Sequence, residues 1–267
     1  MPDTPKFTAK DVQALRRLAG VGMLDAKQAL EEANGVLEDA LQRLRVKGLA
    51  KASAREAREA SQGAVAAVRQ ASTAAIVELR CETDFVAKAL EFVSLADDLA
   101  ALVAAKGEDA VAERAADLER LRTSFQENIS VGRVVRMERR EGQVIDVYAH
   151  QQAGRGVNAV AVLLDSGTQE LAHDIAVHIA FAQPGFLRRE DVPEDEVAAE
   201  RATLEEITRN EGKPDAAVPK IVEGRLGGWF KERVLLEQPY VRDEKRSVAD
   251  VLGGVHVVDF AQVVIGS

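Results

Sequence analysis

Hydrophobic residues in the first part of the chain recur every three or four positions, in three short runs separated by turns that contain glycine. In the first run, Val12, Leu15 and Leu18 share one face of a helix. The same spacing predicts three consecutive helices, over about 8–20, 23–33 and 37–46. Such a short segment predicts a compact bundle, which is typical of adaptors because it has no room for a deep pocket.

Three parts of this N-terminal segment have more than one interpretation. Gly20-Val21-Gly22 contains glycines as a phosphate-binding loop does, but no strand precedes it, so a turn is favoured. Met23 and Leu24 are equally consistent with an exposed apolar contact and with ordinary core. In the linker over about 47–58, glutamates lie among the basic residues, which favours a solvated helical tether over an RNA-binding patch.

From residue 63 onward, the pattern changes to short runs rich in alanine and β-branched residues, interrupted by longer runs with helical spacing. The short runs predict strands, because β-branched side chains suit a pleated surface. The predicted strands are 64–68, 73–79, 134–137, 143–149, 158–164 and 255–264. The longer runs predict helices over about 86–105, 108–127, 169–182, 194–210, 218–237 and 246–252.

Part of this body is repeated along the chain. The sequence Leu-Ala-Asp-Asp-Leu-Ala at 95–100 corresponds to Leu-Ala-His-Asp-Ile-Ala at 171–176, 76 residues later, and each follows a predicted strand and a connection. The correspondence indicates two hairpin-plus-helix units, each of which needs a partner to cover its sheet face. Two helices around Gly212-Lys213-Pro214 predict a projecting helical hairpin over about 193–237.

The predicted fold is therefore of the α+β class and has three parts. A three-helix bundle and its linker are expected over residues 1–55. Two duplicated units of antiparallel sheet packed with helices are expected over 56–140 and 141–267, the second with the helical hairpin. A chain of 267 residues, 46% of them hydrophobic, is long enough to bury a sizeable core.

Composition narrows the class of protein. The formal net charge of −9 disfavours an extended nucleic-acid surface, because phosphate contacts need basic residues. A single cysteine excludes an intramolecular disulfide framework, and the four histidines are too scattered for a metal site. No apolar run approaches the ~20 residues of a membrane span, and no secretory signal is visible. We expect a cytoplasmic protein with no metal, no cofactor and no membrane association.

The run Cys81-Glu82-Thr83-Asp84-Phe85-Val86 lies between a predicted strand and a predicted helix, where functional groups concentrate. One interpretation is structural: Thr83 or Asp84 caps the helix and Phe85 packs into the core. The other is a functional loop. No histidine that could act as a general base lies near Cys81 in sequence, so we expect a small buried residue and not a nucleophile.

This run resembles the signature loop of bacterial elongation factor Ts, and other segments resemble the same family in order along the chain. Residues 15–16, 20–30, 34–35 and 44–48 are similar to the family's ubiquitin-associated-like domain. Further similar segments are Tyr148 and His150, and residues 174–180, 212–214, 221–226 and 236–243. Collinear similarity over nearly the whole chain is far more specific than any single motif.

The resemblance implies a guanine nucleotide exchange factor for elongation factor Tu, the GTPase that delivers aminoacyl-tRNA in translation. In the family an Asp-Phe pair enters the GTPase near its magnesium ion and nucleotide. This implies partner-binding roles for Thr83, Asp84, Phe85 and Val86. Secondary contacts are implied for Leu15, Met23, Leu24, His150, Gly154 and Arg155. Exchange needs no covalent chemistry, so no catalytic residue is expected and the protein is not expected to be an enzyme.

The residues alone leave two other classes of function open. The three-helix module fits a non-catalytic adaptor, which would bind a partner without nucleotide exchange. The basic linker fits an RNA-binding translation factor, whose affinity would fall steeply with salt. The resemblance itself implies no direct nucleic-acid partner, and the sequence leaves the oligomeric state open.

Overall fold

The computed structural model describes residues 7–19, 21–44 and 58–266. Its N-terminal module contains α1 (Ala9–Ala19), α2 (Met23–Glu32) and α3, which is helical over residues 37–44. The three helices bury a common core of Val12, Leu15, Ala26, Ala29, Leu30, Ala33, Ala40 and Leu44. The predicted three-helix bundle is confirmed. Gly20, the predicted end of the third helix at 46, and the linker over 47–57 lie outside the described residues.

Two three-stranded antiparallel sheets form the body, and both have the same topology. The first contains β1 (Gln62–Arg69), β2 (Thr73–Cys81) and β3 (Ser130–Glu138). The second contains β4 (Val144–Gln152), β5 (Arg155–Leu164) and, after a small hairpin of β6 (Pro239–Tyr240) and β7 (Asp243–Ser247), β8 (Val257–Val264). Each sheet is a hairpin whose second strand also pairs with a later strand. The domain boundaries near 55 and 140 stay predictions.

Helices connect and cover these strands. The first unit holds α4 (Asp84–Ala87), α5 (Leu90–Lys106) and α6 (Ala115–Phe125). The second holds α7 (Gln169–Ala182), then the helical hairpin of α8 (Glu194–Asn210) and α9 (Val218–Arg233), and α10 (Val248–Leu252). The predicted bounds of α7 and α8 are confirmed, because each follows a clear start signal, Thr168 and Pro193 respectively.

The sheets pack face to face, and helices cover their outer faces. Successive residues of β2 alternate between the two sides: Ala74 and Ile76 contact the second sheet, whereas Ala75, Val77 and Leu79 share a core with α5. On β5, alternate residues likewise divide between the inter-sheet core and the core beneath α7. Each sheet therefore buries the apolar inner face of the other, which would otherwise be exposed to water.

The structure corrects two helix predictions in the first unit. The predicted helix over 86–105 is broken, because the backbone of Ala89 is extended at φ −66° and ψ 134°. The short α4 precedes this break and α5 follows it. The predicted helix over 108–127 is a 3-10 helix (Glu108–Arg114) followed by α6, which ends at Phe125 because Gln126 adopts a left-handed conformation at φ 60°.

Two predictions in the second unit were also wrong. The helix predicted over 218–237 ends at Arg233, and a 3-10 turn (Leu235–Glu237) follows it. The helix predicted over 246–252 begins two residues later, because β7 extends to Ser247. There the hydroxyl of Ser247 accepts a hydrogen bond from the backbone N–H of Asp250 and starts α10 (3.1 Å).

Candidate partner-binding site

The connection between β2 and α5 presents one aromatic ring to solvent. Thr83 caps α4, since its Oγ1 accepts a hydrogen bond from the backbone N–H of Val86 (3.4 Å). Val86 and Ala87 point into the core of the first unit. Phe85, on the opposite side of this single turn, is 83% exposed. The capping role of Thr83 is confirmed, and the interpretation that packed Phe85 into the core was wrong.

Asp84 carries a stable negative charge beside that ring. Lys88, one turn later, donates a hydrogen bond from its Nζ to Asp84 Oδ2 (2.6 Å). This hydrogen bond is the largest cause that lowers the pKa of the Asp84 carboxyl below its usual value. Asp84 is therefore ionised at neutral pH, and its orientation is fixed by a residue of the same loop.

A loop 45 residues away in sequence holds the base of α4. Glu127, between α6 and β3, accepts hydrogen bonds at Oε2 from the backbone N–H groups of Glu82 (3.0 Å) and Thr83 (3.1 Å). Its Oε1 accepts a third from the Thr83 hydroxyl (2.5 Å). Hydrogen bonds to a charged acceptor are stronger than neutral ones, so this carboxylate fixes the start of the loop.

The contact between the two loops is reciprocal. The carboxylate of Glu82 accepts a hydrogen bond from the backbone N–H of Asn128 (2.6 Å) and pairs with Arg58 (3.3 Å). The side-chain amide of Asn128 donates in turn to the backbone oxygen of Arg58 (2.8 Å). Residues 58, 82 and 128 thus join the entry to β1, the Phe85 loop and the entry to β3.

The region shows no nucleophile and no metal centre. Burial is the largest cause that raises the pKa of the Cys81 thiol, to about 12, so it remains protonated, and its Sγ lies 3.2 Å from the backbone oxygen of Thr83. Cys81 is a small buried residue, as predicted. Within the described ranges, no group of three or more His, Cys, Asp or Glu side chains is arranged to hold a metal ion. No helix in those ranges is long and apolar enough to cross a membrane.

Arg155 connects the second unit to this end of the first. It is buried, and its guanidinium donates hydrogen bonds to the backbone oxygen of Gly63 and to Gln62 Oε1 (3.4 Å). Both acceptors belong to β1, where Gln62 pairs with Cys81 of β2. Its positive charge also helps to lower the pKa of Asp84. The turn between β4 and β5 therefore lies at the same end of the two sheets as the Phe85 loop, with Arg155 directed inward.

Other predicted site residues differ in exposure. His150 and Gly154 are exposed near the β4–β5 turn, and the Tyr148 hydroxyl lies 3.5 Å from His150 Nδ1. In the N-terminal module, Met23 is 54% and Leu24 80% exposed, which excludes the ordinary-core interpretation, and their contact with a partner stays a prediction. Leu15 is fully buried, because it faces the core of the bundle.

Comparison with known proteins identifies the family. The sequence model described as Elongation factor TS matches residues 82–267. An Elongation factor Ts of Renibacterium salmoninarum is 44% identical over 278 residues, which cover 98% of this chain and 99% of that protein. One of Clavibacter michiganensis is 45% identical over 275 residues with the same coverage. The chain belongs to the elongation factor Ts family. The predicted resemblance is confirmed.

As a member of the elongation factor Ts family, the protein is a translation elongation factor. The exposed part of the candidate site was predicted from the sequence, whereas the contacts that hold it were not; these are made by Arg58, Lys88, Glu127 and Asn128. The spacing of Asp84 and Lys88 on one helical face was a local signal for one of these contacts. Glu127 and Asn128 gave no signal, because their partners lie more than forty residues away.

Proposed function

We propose that this protein accelerates the release of GDP from elongation factor Tu by inserting Asp84 and Phe85 near the magnesium ion and nucleotide of that GTPase. One observation carries the proposal: Phe85 is 83% exposed on a turn whose other side is buried and whose base is hydrogen-bonded. An exposed phenylalanine is costly in water, and burying its ring against a partner contributes about 2 kcal/mol or more.

In the proposed mechanism the ring wedges between side chains of the GTPase, while Asp84 contacts polar groups beside it. The magnesium contacts are disturbed, and GDP leaves faster. The loop suits this role because Thr83, Glu127 and Lys88 already fix its geometry, so little conformational entropy is lost on insertion.

Exchange of this kind is a coupling between two ligands of one GTPase. If the factor weakens GDP binding by a given ratio, bound GDP weakens the factor by the same ratio. Bound nucleotide therefore expels the factor, which can act again. No residue of the chain needs to form a covalent bond in this cycle.

Exposure also sorts the remaining contact residues. Met23 and Leu24 of the N-terminal module are available to touch the GTPase, as are His150 and Gly154 of the second unit. Leu15, Val86 and Arg155 are buried, so in this proposal they support the contact surfaces from within.

The test compares two exposed phenylalanines. Phe181, at the end of α7, is 75% exposed, so Phe181→Ala removes the same ring from a position outside the Phe85 loop. We expect Phe85→Ala to slow the release of labelled GDP from elongation factor Tu at least about tenfold at saturating factor, which corresponds to ~1.4 kcal/mol. Phe181→Ala should leave the rate unchanged. Stopped-flow fluorescence measures both rates, and calorimetry checks that the two Tm values match the parent.

An unchanged rate for Phe85→Ala would remove the wedge from the mechanism. If the unaltered protein binds elongation factor Tu but does not speed GDP release, the protein is an adaptor and not an exchange factor. If it instead binds RNA with a steep salt dependence, the RNA-binding class replaces both.

A further inference from the structure

The loop that precedes β3 is built around one carboxylate. Gln126 adopts a left-handed conformation at φ 60° and ends α6, and Arg122 Nε donates a hydrogen bond to the backbone oxygen of Ile129 (2.6 Å). These contacts fold residues 126–129 back against the first unit. Glu127 is half-buried in this loop and directs its side chain at the base of α4.

We infer that Glu127 is a positioning residue for exchange: its carboxylate aims Asp84 and Phe85 by holding Glu82 and Thr83. The inference rests on the proposed function of that loop. Three donors converge on the two oxygens of Glu127, from two consecutive backbone N–H groups and one hydroxyl.

The isolated loop has little structure of its own. A helix of four residues makes too few internal hydrogen bonds to be stable alone, so α4 depends on its anchors. One anchor is the burial of Val86 and Ala87 on its inner side. The other is Glu127, which holds the backbone up to two residues before Phe85, so a rotation of the backbone there would also rotate the ring.

Glu127 lies outside the hydrophobic core of the first unit. Its removal leaves that core and the sheet hydrogen bonds in place, and it leaves two backbone N–H groups without their acceptor. We therefore expect a loop that samples several orientations on a body that remains folded.

Two substitutions of Glu127 distinguish an effect on the orientation of the Phe85 loop from an effect on folding. Glu127→Ala removes all three acceptor contacts, whereas Glu127→Gln keeps an oxygen for the backbone N–H groups and offers an N–H to the Thr83 hydroxyl. We expect Glu127→Ala to lower the saturating rate of GDP release about tenfold, with less than about a threefold change in the half-saturating concentration. Glu127→Gln should restore the rate to within about threefold of the parent.

Glu113→Ala is the control for loss of a carboxylate, because Glu113 forms an exposed ion pair with Lys106 (2.6 Å) away from this loop. It should leave the rate unchanged. Thr83→Val removes both the hydroxyl donor to Glu127 and the cap on the backbone N–H of Val86, and it should slow release in the same direction as Glu127→Ala. Equal losses in Glu127→Ala and Glu127→Gln, or a loss in Glu113→Ala as large as in Glu127→Ala, would overturn the inference.

A measurement on the free protein keeps this inference separate from the proposed exchange. Trp229 is the single tryptophan, so Phe85→Trp in a Trp229→Phe background places one fluorophore on the loop. We expect Glu127→Ala to lower the fluorescence anisotropy of this probe and Glu127→Gln to retain it. Unchanged anisotropy in Glu127→Ala overturns the positioning role. If Glu127→Ala lowers the anisotropy but Phe85→Ala does not slow GDP release, the positioning role is supported and the wedge is rejected.

Discussion

The two units have the same sheet topology but differ in how the central strand leads into the following helix. In the first unit, residues 82–89 connect β2 to α5 and include the extra turn α4. In the second, residues 165–168 connect β5 directly to α7. The longer connection moves the capping threonine from the main helix to α4, so Thr168 caps α7 whereas Ala89 precedes α5 without a side-chain cap.

Both connections are held by hydrogen bonds, but only the long one presents a large apolar side chain to solvent. Asp165 accepts a hydrogen bond from the backbone N–H of His256 (2.9 Å) and contacts its ring, and Gly167 turns the chain at φ 99°. Residues 165–168 are Asp-Ser-Gly-Thr and contain no large apolar side chain. In the first unit, the additional residues form α4, which presents Phe85 to solvent. One added turn therefore provides a candidate contact residue without a change in sheet topology.

The largest expected effect tests whether the long connection opens by itself. Cys81 ends β2 beneath the loop, and burial raises the pKa of its thiol to about 12. Because the thiolate is the reactive form, we expect iodoacetamide at pH 8 to modify the native protein at least about a hundredfold more slowly than the protein in guanidinium. Mass spectrometry of quenched samples gives both rates. Similar modification rates in the native and the denatured protein would mean that the loop between β2 and α5 opens readily.

A smaller effect is expected at the helix cap of the second unit. Thr168 Oγ1 accepts a hydrogen bond from the backbone N–H of Leu171 (3.1 Å) at the start of α7. Thr168→Ala should lower the free energy of unfolding by about 1 kcal/mol, measured by urea titration. Thr168→Ser keeps the hydroxyl and should stay closer to the parent. If Thr168→Ala lowers the free energy of unfolding no more than Thr168→Ser does, the cap does not stabilise α7 and does not distinguish the two units.

The smallest effect distinguishes the two hairpin turns. In β4–β5 the connecting residues Ala153 and Gly154 both have positive φ, 52° and 81°, a two-residue turn that favours Asn-Gly. Ala153→Asn should therefore raise the free energy of unfolding by about 0.5 kcal/mol. The turn over residues 70–72 between β1 and β2 has no positive φ, so Ala71→Asn should give no gain. Equal changes in the two variants would contradict this explanation.

The sequence by itself determined the parts of the fold that depend on neighbouring residues. Helical spacing gave the N-terminal bundle and the bounds of α7, because these structures are fixed within a few residues. The repeated hairpin-plus-helix pattern gave the common plan of the two units. The helix cap in residues 81–86 was also a local feature: the sequence left Thr83 and Asp84 as alternatives, and Thr83 is the cap.

The tertiary structure alone decided the features that depend on distant residues. Whether Phe85 is core or surface is set by the face of α4 that Val86 and Ala87 bury, and the local pattern is the same in either case. Glu127 reaches the loop across 45 positions, and Arg155 turns inward to a strand of the other unit. The Glu127 contacts form only when the first unit has folded, and the Arg155 contact forms only when the two sheets pack face to face, since no local spacing relates these residues.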